Sequence, residues 1–392
     1  MNVQHHDLSV STGYIGTCCQ GSTGSVSSGT QRELISLHFG SAEHGKKVYI
    51  QASLHADEIP GMLVAHYLRQ TLAALDAARQ ISAEIVLVPV ANPIGLAQEV
   101  YGTAVGRFDL ANGINFNRGY QYLTPPLIAA LDGKLGANAD ANVQTIRAQA
   151  LAILQRWQPK NESEQMKKTL QTLAIDADVV LDLHCDNQAV MHLYTGTQLL
   201  EATLPLAARL GAQALLVCSA SGDNPFDESA SRHWWELAQH FGDQIAIPNA
   251  CLSLTVELRG ETEVSHALAI ADAAAIIGFL QQAGYIAGTA ELCPEQLCPA
   301  LQCAATPLEG VEPIVAAHAG VLVFSKALGT QIAAGESIGD LLDPATGALT
   351  PLLATVSGVL FARVSRRYVR AGTSVAKIAG HQPFRTGNLL SL

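Results

Sequence analysis

The chain has 392 residues, a formal net charge of −11 and a pI near 5.6, with 48% hydrophobic and 5% aromatic residues. This acidic balance argues against nucleic acid and anionic membrane surfaces as partners. The length exceeds that of a typical single domain, so we expect two domains with a large core.

The first residues lack a basic region and a long apolar run, which predicts that there is no signal peptide. No stretch approaches the ~20 apolar residues of a membrane span. Eight cysteines without a secretion signal favour reduced thiols. We therefore expect a cytoplasmic protein.

In chain order, residues 1–44 are predicted to be an N-terminal extension of loops with one candidate strand. From residue 45 onward, predicted strands alternate with helices, and the segment 119–177 is helical and rich in polar residues. This alternation is typical of an α/β sheet with helices on both faces. It predicts an α/β domain over residues 45–295.

The first chemically informative motif is His-Ala-Asp-Glu, which joins a predicted strand (KKVYIQAS) to a predicted helix (IPGMLVAHYLRQTLAAL). His55 and Glu58 should therefore lie at the carboxyl edge of a sheet. Residues three apart can converge on one point, and an imidazole with a carboxylate supplies two of the three protein ligands of a catalytic zinc. The alternative is an ordinary surface pair in the first turn of a helix.

A third candidate ligand, His184, ends the apolar run DVVLDLH. Such a run is typical of a strand covered on both faces. Asp182 or Asp186 could accept the second ring N–H of a ligating histidine. A lone histidine at a strand end is more often a hydrogen-bonded polar residue, but two strand-exit sites in one chain make coincidence less plausible.

Two further segments carry candidate site residues. The loop RFDLANGINFNR contains Arg107 and the pair Asn117-Arg118, and the planar fork of arginine suits a carboxylate; surface ion pairs are the alternative. The strand LSLTVELRG presents Glu257 on the face opposite its aliphatic neighbours. A carboxylate placed there beside a metal could act as a general base.

The motifs HADE, NFNR, DLH and VELRG, in this order, resemble the zinc carboxypeptidase-like superfamily and, within it, the succinylglutamate desuccinylase/aspartoacylase family. The similarity covers roughly residues 45–280. Asn115-Phe116 stands where the family usually has Asp-Leu. By position, the resemblance implies one zinc ion held by His55, Glu58 and His184, a substrate carboxylate held by Asn117 and Arg118, a scissile carbonyl polarised by Arg107, and Glu257 as the catalytic glutamate.

The pattern changes beyond residues 290–310, where proline and cysteine are concentrated. Short strands punctuated by glycines then predict a small all-β domain over residues 311–392. It resembles the barrel-sandwich of biotinyl and lipoyl carrier domains, but Lys326 lacks the context of a modified lysine. The family carries a comparable domain beside its active site, which implies that this one narrows the mouth of the site; a subunit interface is the alternative. The basic run SRRYVR could face an anionic substrate or protect a strand edge.

The resulting prediction is a zinc-carboxypeptidase-like α/β fold, a mixed sheet flanked by helices, with the β domain attached. The expected activity is zinc-dependent hydrolysis of an N-acyl amino acid or a similar small amide that carries a carboxylate. The alternatives are a zinc carboxypeptidase on short peptides and a protein that holds zinc without turnover. Glu257 favours an enzyme, because a binding protein needs no base. The sequence names neither the acyl group nor the amino acid, and leaves a homo-oligomer open.

Overall fold

Strands and helices alternate through the larger part of the chain. The computed structural model describes residues 1–10, 30–288, 303–387 and 389. The elements before the third candidate ligand are β1 (Asn2–Asp7), β2 (Glu33–Gly40), β3 (Lys47–Ala52), α1 (Pro60–Ala77), β4 (Glu84–Val88), α2 (Pro93–Leu96), β5 (Glu99–Val100), β6 (Thr103–Ala104), α3 (Thr124–Leu131), α4 (Ala139–Arg156) and α5 (Glu162–Ala174). The next are β7 (Val179–Asp186), β8 (Gln188–Ala189), β9 (His192–Thr195), α6 (Leu200–Leu210), β10 (Ala214–Val217), α7 (Phe226–Phe241), β11 (Leu252–Gly260) and α8 (His266–Gln282). The last are β12 (Ala305–Pro307), β13 (Val311–Val315), β14 (Gly320–Phe324), β15 (Gln331–Ile332), β16 (Ser337–Leu342), β17 (Leu349–Leu353), β18 (Gly358–Arg363), β19 (Tyr368–Val369) and β20 (Ser374–Gly380).

One mixed sheet organises the larger part of the protein. Its nine described strands lie in the order β1-β2-β4-β3-β7-β11-β9-β10-β12. The central strands β4, β3, β7 and β11 are mutually parallel, so their carboxyl ends share one edge. In this register His184 on β7 lies opposite Glu257 on β11. The topology thus brings the predicted strand-exit motifs to one place.

Helices cover both faces of this sheet. Helices α1, α6 and α8 pack on one face through aliphatic residues such as Leu68, Leu206 and Ile276. Helices α3, α4, α5 and α7 pack on the other face, where Trp234 is fully buried. Seven of the eight residues of β7 are buried as a result. Burial on both faces explains why this strand is a continuous apolar run rather than an alternating pattern.

The C-terminal strands form two antiparallel sheets, in the orders β13-β20-β18-β15 and β17-β16-β14-β19, with an aliphatic core between them. The short strand β8, which follows β7, pairs with β18. A further apolar cluster contains Val190 and Leu216 from the α/β part and Phe361 from the β part. The β sheets are therefore joined to the chain segment that follows His184.

The predicted fold class is confirmed: a mixed sheet flanked by helices, with antiparallel all-β strands at the C-terminus. Within the predicted N-terminal extension, β1 and β2 add to the edge of the large sheet, where β2 pairs antiparallel with both β1 and β4. The predicted end of the catalytic domain at residue 295 lies outside the described residues. The division into 1–44, 45–295 and 311–392 therefore stays a prediction.

Two smaller observations concern membrane spans and cysteines. None of the helices in the described ranges is long and apolar enough to cross a membrane. Cys185, Cys218, Cys251 and Cys303 are free thiols, and the remaining four cysteines lie outside the described residues. Burial raises the pKa of the Cys251 thiol to about 12, which is typical of an unreactive structural cysteine.

Candidate metal centre and active site

Three side chains singled out by the sequence meet at the carboxyl edge of the sheet. Nδ1 of His55 lies 3.0 Å from Oε1 of Glu58, and Nδ1 of His184 lies 2.7 Å from Oε2 of the same carboxylate. One potential ligand atom from each residue lies within 4.8 Å of the other two, and each residue is at most 6% exposed. Two imidazole nitrogens and a carboxylate form the donor set of a catalytic zinc site. The donors present therefore fit a divalent ion.

The backbone next to the turn that carries His55 and Glu58 is tightly constrained. Ser53 has a φ of 64° at the end of β3, a left-handed conformation that redirects the chain out of the strand. Gly106 lies against the same turn, since its carbonyl accepts the N–H of Ala56 over 3.1 Å. A Cβ at Gly106 would come within 2.6 Å of the carbonyl carbon of Ala56, so only glycine fits. This close approach places the neighbouring Arg107 over the metal candidate.

The second ring nitrogen of His184 faces a buried carboxylate. Nε2 of His184 lies 2.9 Å from Oδ2 of Asp182. Gln51 donates to the other Asp182 oxygen over 2.9 Å, and the Tyr49 hydroxyl donates to Gln51 over 2.8 Å. Such partners fix the tautomer and orientation of a ligating histidine. Of the two aspartates expected in this position, Asp182 occupies it, whereas Asp186 is held by a lysine of the β sheets.

The electrostatics of the centre are those of a cation site. Burial acts to lower the pKa of His184, but the negative charges of Asp182 and Glu58 hold that pKa well above its usual value. Burial also opposes the ionisation of Glu58, yet His55 and His184 hold its pKa well below the usual range. A histidine must give up the proton on its ligating nitrogen to bind a metal, so metal binding would release a proton here.

The second ring nitrogen of His55 faces an amide instead of a carboxylate. Nε2 of His55 lies 2.9 Å from Oδ1 of Asn115, which also accepts the backbone N–H of Asn117 over 2.9 Å. Because that N–H requires an acceptor, the amide orientation is fixed. Sequence reasoning noted Asn115 only as an unusual residue in its loop. The structure shows that it contacts a candidate ligand.

The loop residues Arg107, Asn117 and Arg118 also lie beside the centre. Arg107 donates to Oε1 of Glu58 over 2.8 Å, and its side chain is 39% exposed, so the guanidinium reaches both the metal candidate and solvent. Burial and the charge of Arg107 lower the pKa of Arg118, although the negative charge of Asp227 acts to raise it. The side-chain oxygen of Asn117 accepts the N–H of Phe226 at the start of α7 over 2.8 Å. The amide nitrogen of Asn117 can therefore donate to a ligand.

Glu257 lies opposite His184 on the adjacent strand. Its Oε2 atom is buried and has no hydrogen-bond partner among the described residues. Burial and the negative charge of Glu58 raise the pKa of Glu257 to about 8. A half-buried carboxylate with a free oxygen next to a cation site has the surroundings of a general base.

Sequence reasoning missed Asp227, in the first turn of α7. Burial, together with the negative charges of Glu228 and Asp182, raises the pKa of Asp227 to about 7, while Arg118 acts to lower it. Acidic residues in the first turn of a helix are commonly explained by the helix dipole. The sequence therefore offered no signal that separated Asp227 from an ordinary helix start.

Comparisons with known proteins identify the family and the fold. Residues 44–281 match the family described as the succinylglutamate desuccinylase/aspartoacylase catalytic domain. Proteins of that description from Shewanella frigidimarina NCIMB 400 and Shewanella amazonensis SB2B have similar structures, each with a TM-score of 0.78; their identities are 22% and 24%, covering 97% of this chain and 97% and 98% of theirs. The product-bound ectoine utilization protein EutE (DoeB) from Ruegeria pomeroyi has a TM-score of 0.60 at 16% identity, covering 90% of this chain and 89% of its own. No curated protein matches the sequence significantly. The structural likenesses show a shared fold over nearly the whole chain.

Proposed function

The chain belongs to the succinylglutamate desuccinylase/aspartoacylase family, and we propose that it is a zinc-dependent hydrolase that deacylates an N-acyl amino acid or a similar small amide carrying a carboxylate. The family consists of deacylases. One observation carries the proposal for this chain: three buried donors converge, and Glu257 lies opposite one of them with an unpaired oxygen.

Zinc is the ion that suits this donor set best. His55, Glu58 and His184 would hold it through two nitrogens and a carboxylate, and zinc accepts such mixed ligands readily. Asp182 and Asn115 orient the two histidines from behind. When bound, the ion supplies a Lewis acid that polarises a carbonyl and lowers the pKa of water.

The remaining groups of the chain provide proton transfer and charge stabilisation. Glu257 accepts a proton from the attacking water at its free oxygen and passes it to the leaving amine. Arg107 directs its N–H donors toward Glu58. There they stabilise the negative charge that develops on the scissile carbonyl oxygen. Because Arg107 is partly exposed, it can contact a substrate without moving far.

Substrate selection rests on cationic groups in an otherwise acidic chain. Arg118 binds the substrate carboxylate through its planar fork, and the amide nitrogen of Asn117 adds a donor. Asp227 near Arg118 is half-buried and limits how strongly that arginine attracts anions. We therefore place the carboxylate of the substrate at Arg118 and the amide nitrogen of Asn117.

A substrate panel separates this proposal from its alternatives. N-acetyl and N-succinyl amino acids would be compared with dipeptides that share the same C-terminal residue, with zinc present. We expect the N-acyl amino acids to be cleaved at least tenfold more efficiently than the dipeptides. Preference for dipeptides would indicate a carboxypeptidase, and zinc retention without turnover of either class would indicate a binding protein.

A further inference from the structure

A buried lysine lies beneath the loop that carries Asn117 and Arg118. Lys167, on α5, is only 4% exposed. Its ammonium donates to the backbone carbonyl of Arg118 over 2.7 Å and to that of Asn115 over 3.2 Å. The third direction of the ammonium is toward the ring of Tyr120, whose centroid is 6.0 Å away.

The surroundings of Lys167 are unusual for a buried cation. No carboxylate of the described residues forms an ion pair with it. Burial lowers the pKa of Lys167 to about 8, although the more distant charges of Glu164 and Asp109 act to raise it. Burying an unpaired ammonium is unfavourable, so the hydrogen bonds from Lys167 to the loop must offset part of that cost.

The two carbonyls that Lys167 contacts are the ends of one turn. The carbonyl of Asn115 also accepts the backbone N–H of Arg118 over 3.2 Å, which closes the turn around Asn117. One helical turn earlier on α5, the Ser163 hydroxyl donates to Asp109 over 2.5 Å. Helix α5 thus fixes the arginine loop at both ends.

We propose that Lys167 is a positioning residue for the anionic substrate subsite: it fixes the turn from Asn115 to Arg118 and adds positive charge behind it. This inference rests on the proposed function, in which Arg118 binds a substrate carboxylate. The hydrogen bonds fix the backbone from which the Arg118 side chain extends. The charge raises the local potential felt by an anion. Its loss should weaken carboxylate binding more than it weakens the chemical step.

The test compares Lys167→Met with a matched control, Lys168→Met. Lys168 is the next residue on the same helix and also donates to two backbone carbonyls, those of Gln155 and Trp157, at the end of α4. For the best N-acyl amino acid substrate, we expect Lys167→Met to raise KM by about tenfold or more, as for the loss of hydrogen bonds from a charged donor. The kcat should change less than about threefold. Lys168→Met should leave KM and kcat at their wild-type values.

A second pair of variants separates charge from hydrogen bonding. Lys167→Arg retains the charge and should recover most of the affinity, whereas Lys167→Gln retains donors without charge and should recover less. If Lys167→Met does not fold, the comparison of Lys167→Gln with the wild type decides: equal KM values would overturn the proposal. An equal fall in kcat/KM for carboxylate and amidated substrates would also overturn the proposal, because a collapsed loop affects both classes alike.

A binding measurement keeps this inference distinct from the proposed function. Calorimetry with succinate and its uncharged diamide, succinamide, would be done on the zinc-loaded wild type and on Lys167→Met. The inference predicts that the variant binds succinate about tenfold more weakly than the wild type and binds succinamide with the same affinity. A wild type that binds succinate but cleaves no N-acyl amino acid contradicts the proposed function. A variant that binds succinate like an active wild type contradicts the inference alone.

Discussion

The ammonium of Lys377, on β20, lies 2.6 Å from Oδ2 of Asp186, two residues beyond His184 on β7. Against the effect of burial, this contact lowers the pKa of Asp186, and the charge of Lys377 also acts on Glu257. Nearby, Arg363 donates to Gln188 over 2.9 Å, next to the pairing of β18 with β8. The β sheets therefore contact the edge of the site through charged residues, which favours a role at its mouth.

Lys377→Met should reduce turnover by about tenfold or more. Without the ammonium, the negative charge of Asp186 acts on Glu257 uncompensated and raises its pKa further. Less of the base is then deprotonated near pH 7, and the acidic limb of the pH–rate profile should move to higher pH. The profile of kcat/KM from pH 5 to 9 measures this shift.

Two matched variants control that experiment. Lys377→Arg keeps the charge and should stay near wild type. Lys326→Met removes a lysine of the same β sheets that pairs with Glu336, and it should change neither rate nor profile. A Lys377→Met protein with wild-type kinetics would show that the ion pair only supports packing between the two parts.

Glu257→Gln should retain the fold and the metal but lose turnover by ~10²–10⁴-fold, the contribution of a positioned proton-transfer group. The amide has nearly the same shape but cannot accept the proton of water. Steady-state kinetics on the best substrate, with zinc content measured on the same sample, provide the test. Near wild-type turnover would mean that another residue is the base.

Arg118→Lys should weaken substrates that carry a carboxylate, since lysine keeps the charge but loses the planar fork. Amidated analogues should be poor substrates of the wild type and should differ little between wild type and variant. The ratio of kcat/KM for the two substrate types measures the effect. An equal loss on both types would assign Arg118 to loop structure.

The buried His233 predicts a loss of stability in mild acid. Both of its ring nitrogens lack a partner among the described residues, and burial, with the nearby charge of Arg147, lowers its pKa to about 3. Below the ordinary value of 6.5, the unfolded chain binds a proton that the folded chain excludes, so stability falls as pH falls. Between pH 6 and pH 5, the free energy of unfolding measured by urea denaturation should fall by about 1 kcal/mol less for His233→Phe than for the wild type.

The matched control for that experiment is His240→Phe, which exchanges an exposed histidine two turns along the same helix. It should keep the wild-type dependence of the free energy of unfolding on pH. Identical pH dependence in wild type and His233→Phe would show that His233 becomes protonated in the folded state.

The convergence of His55, Glu58 and His184 could be predicted from the sequence. A continuous apolar run ending in His184, and a strand-to-helix turn holding His55 and Glu58, are local patterns with one common physical cause, a parallel sheet covered on both faces. The meeting of these residues follows from strand order. The roles assigned to Arg107, Asn117, Arg118 and Glu257 remain proposals.

The groups around the site could not be predicted in the same way. Lys167, Asp227 and Lys377 come from a helix interior, a helix start and a distant strand, where lysine and aspartate normally face water. Only the tertiary packing of α5, α7 and β20 shields them, Lys167 almost fully and the other two in part, and brings them near the site. Asn115 gave a partial signal, because an amide stands where the family usually has a carboxylate.

The central claim is that one divalent ion, held by His55, Glu58 and His184, is required for deacylation. Metal analysis of protein purified without added zinc, combined with turnover of an N-acyl amino acid before and after chelation and zinc return, tests it most directly. We predict one tightly bound ion per chain, zinc by preference, with turnover lost on chelation and restored by zinc, and no tight binding in a His55→Ala, His184→Ala double variant. An active wild type without metal, or full occupancy in the double variant, would contradict the account.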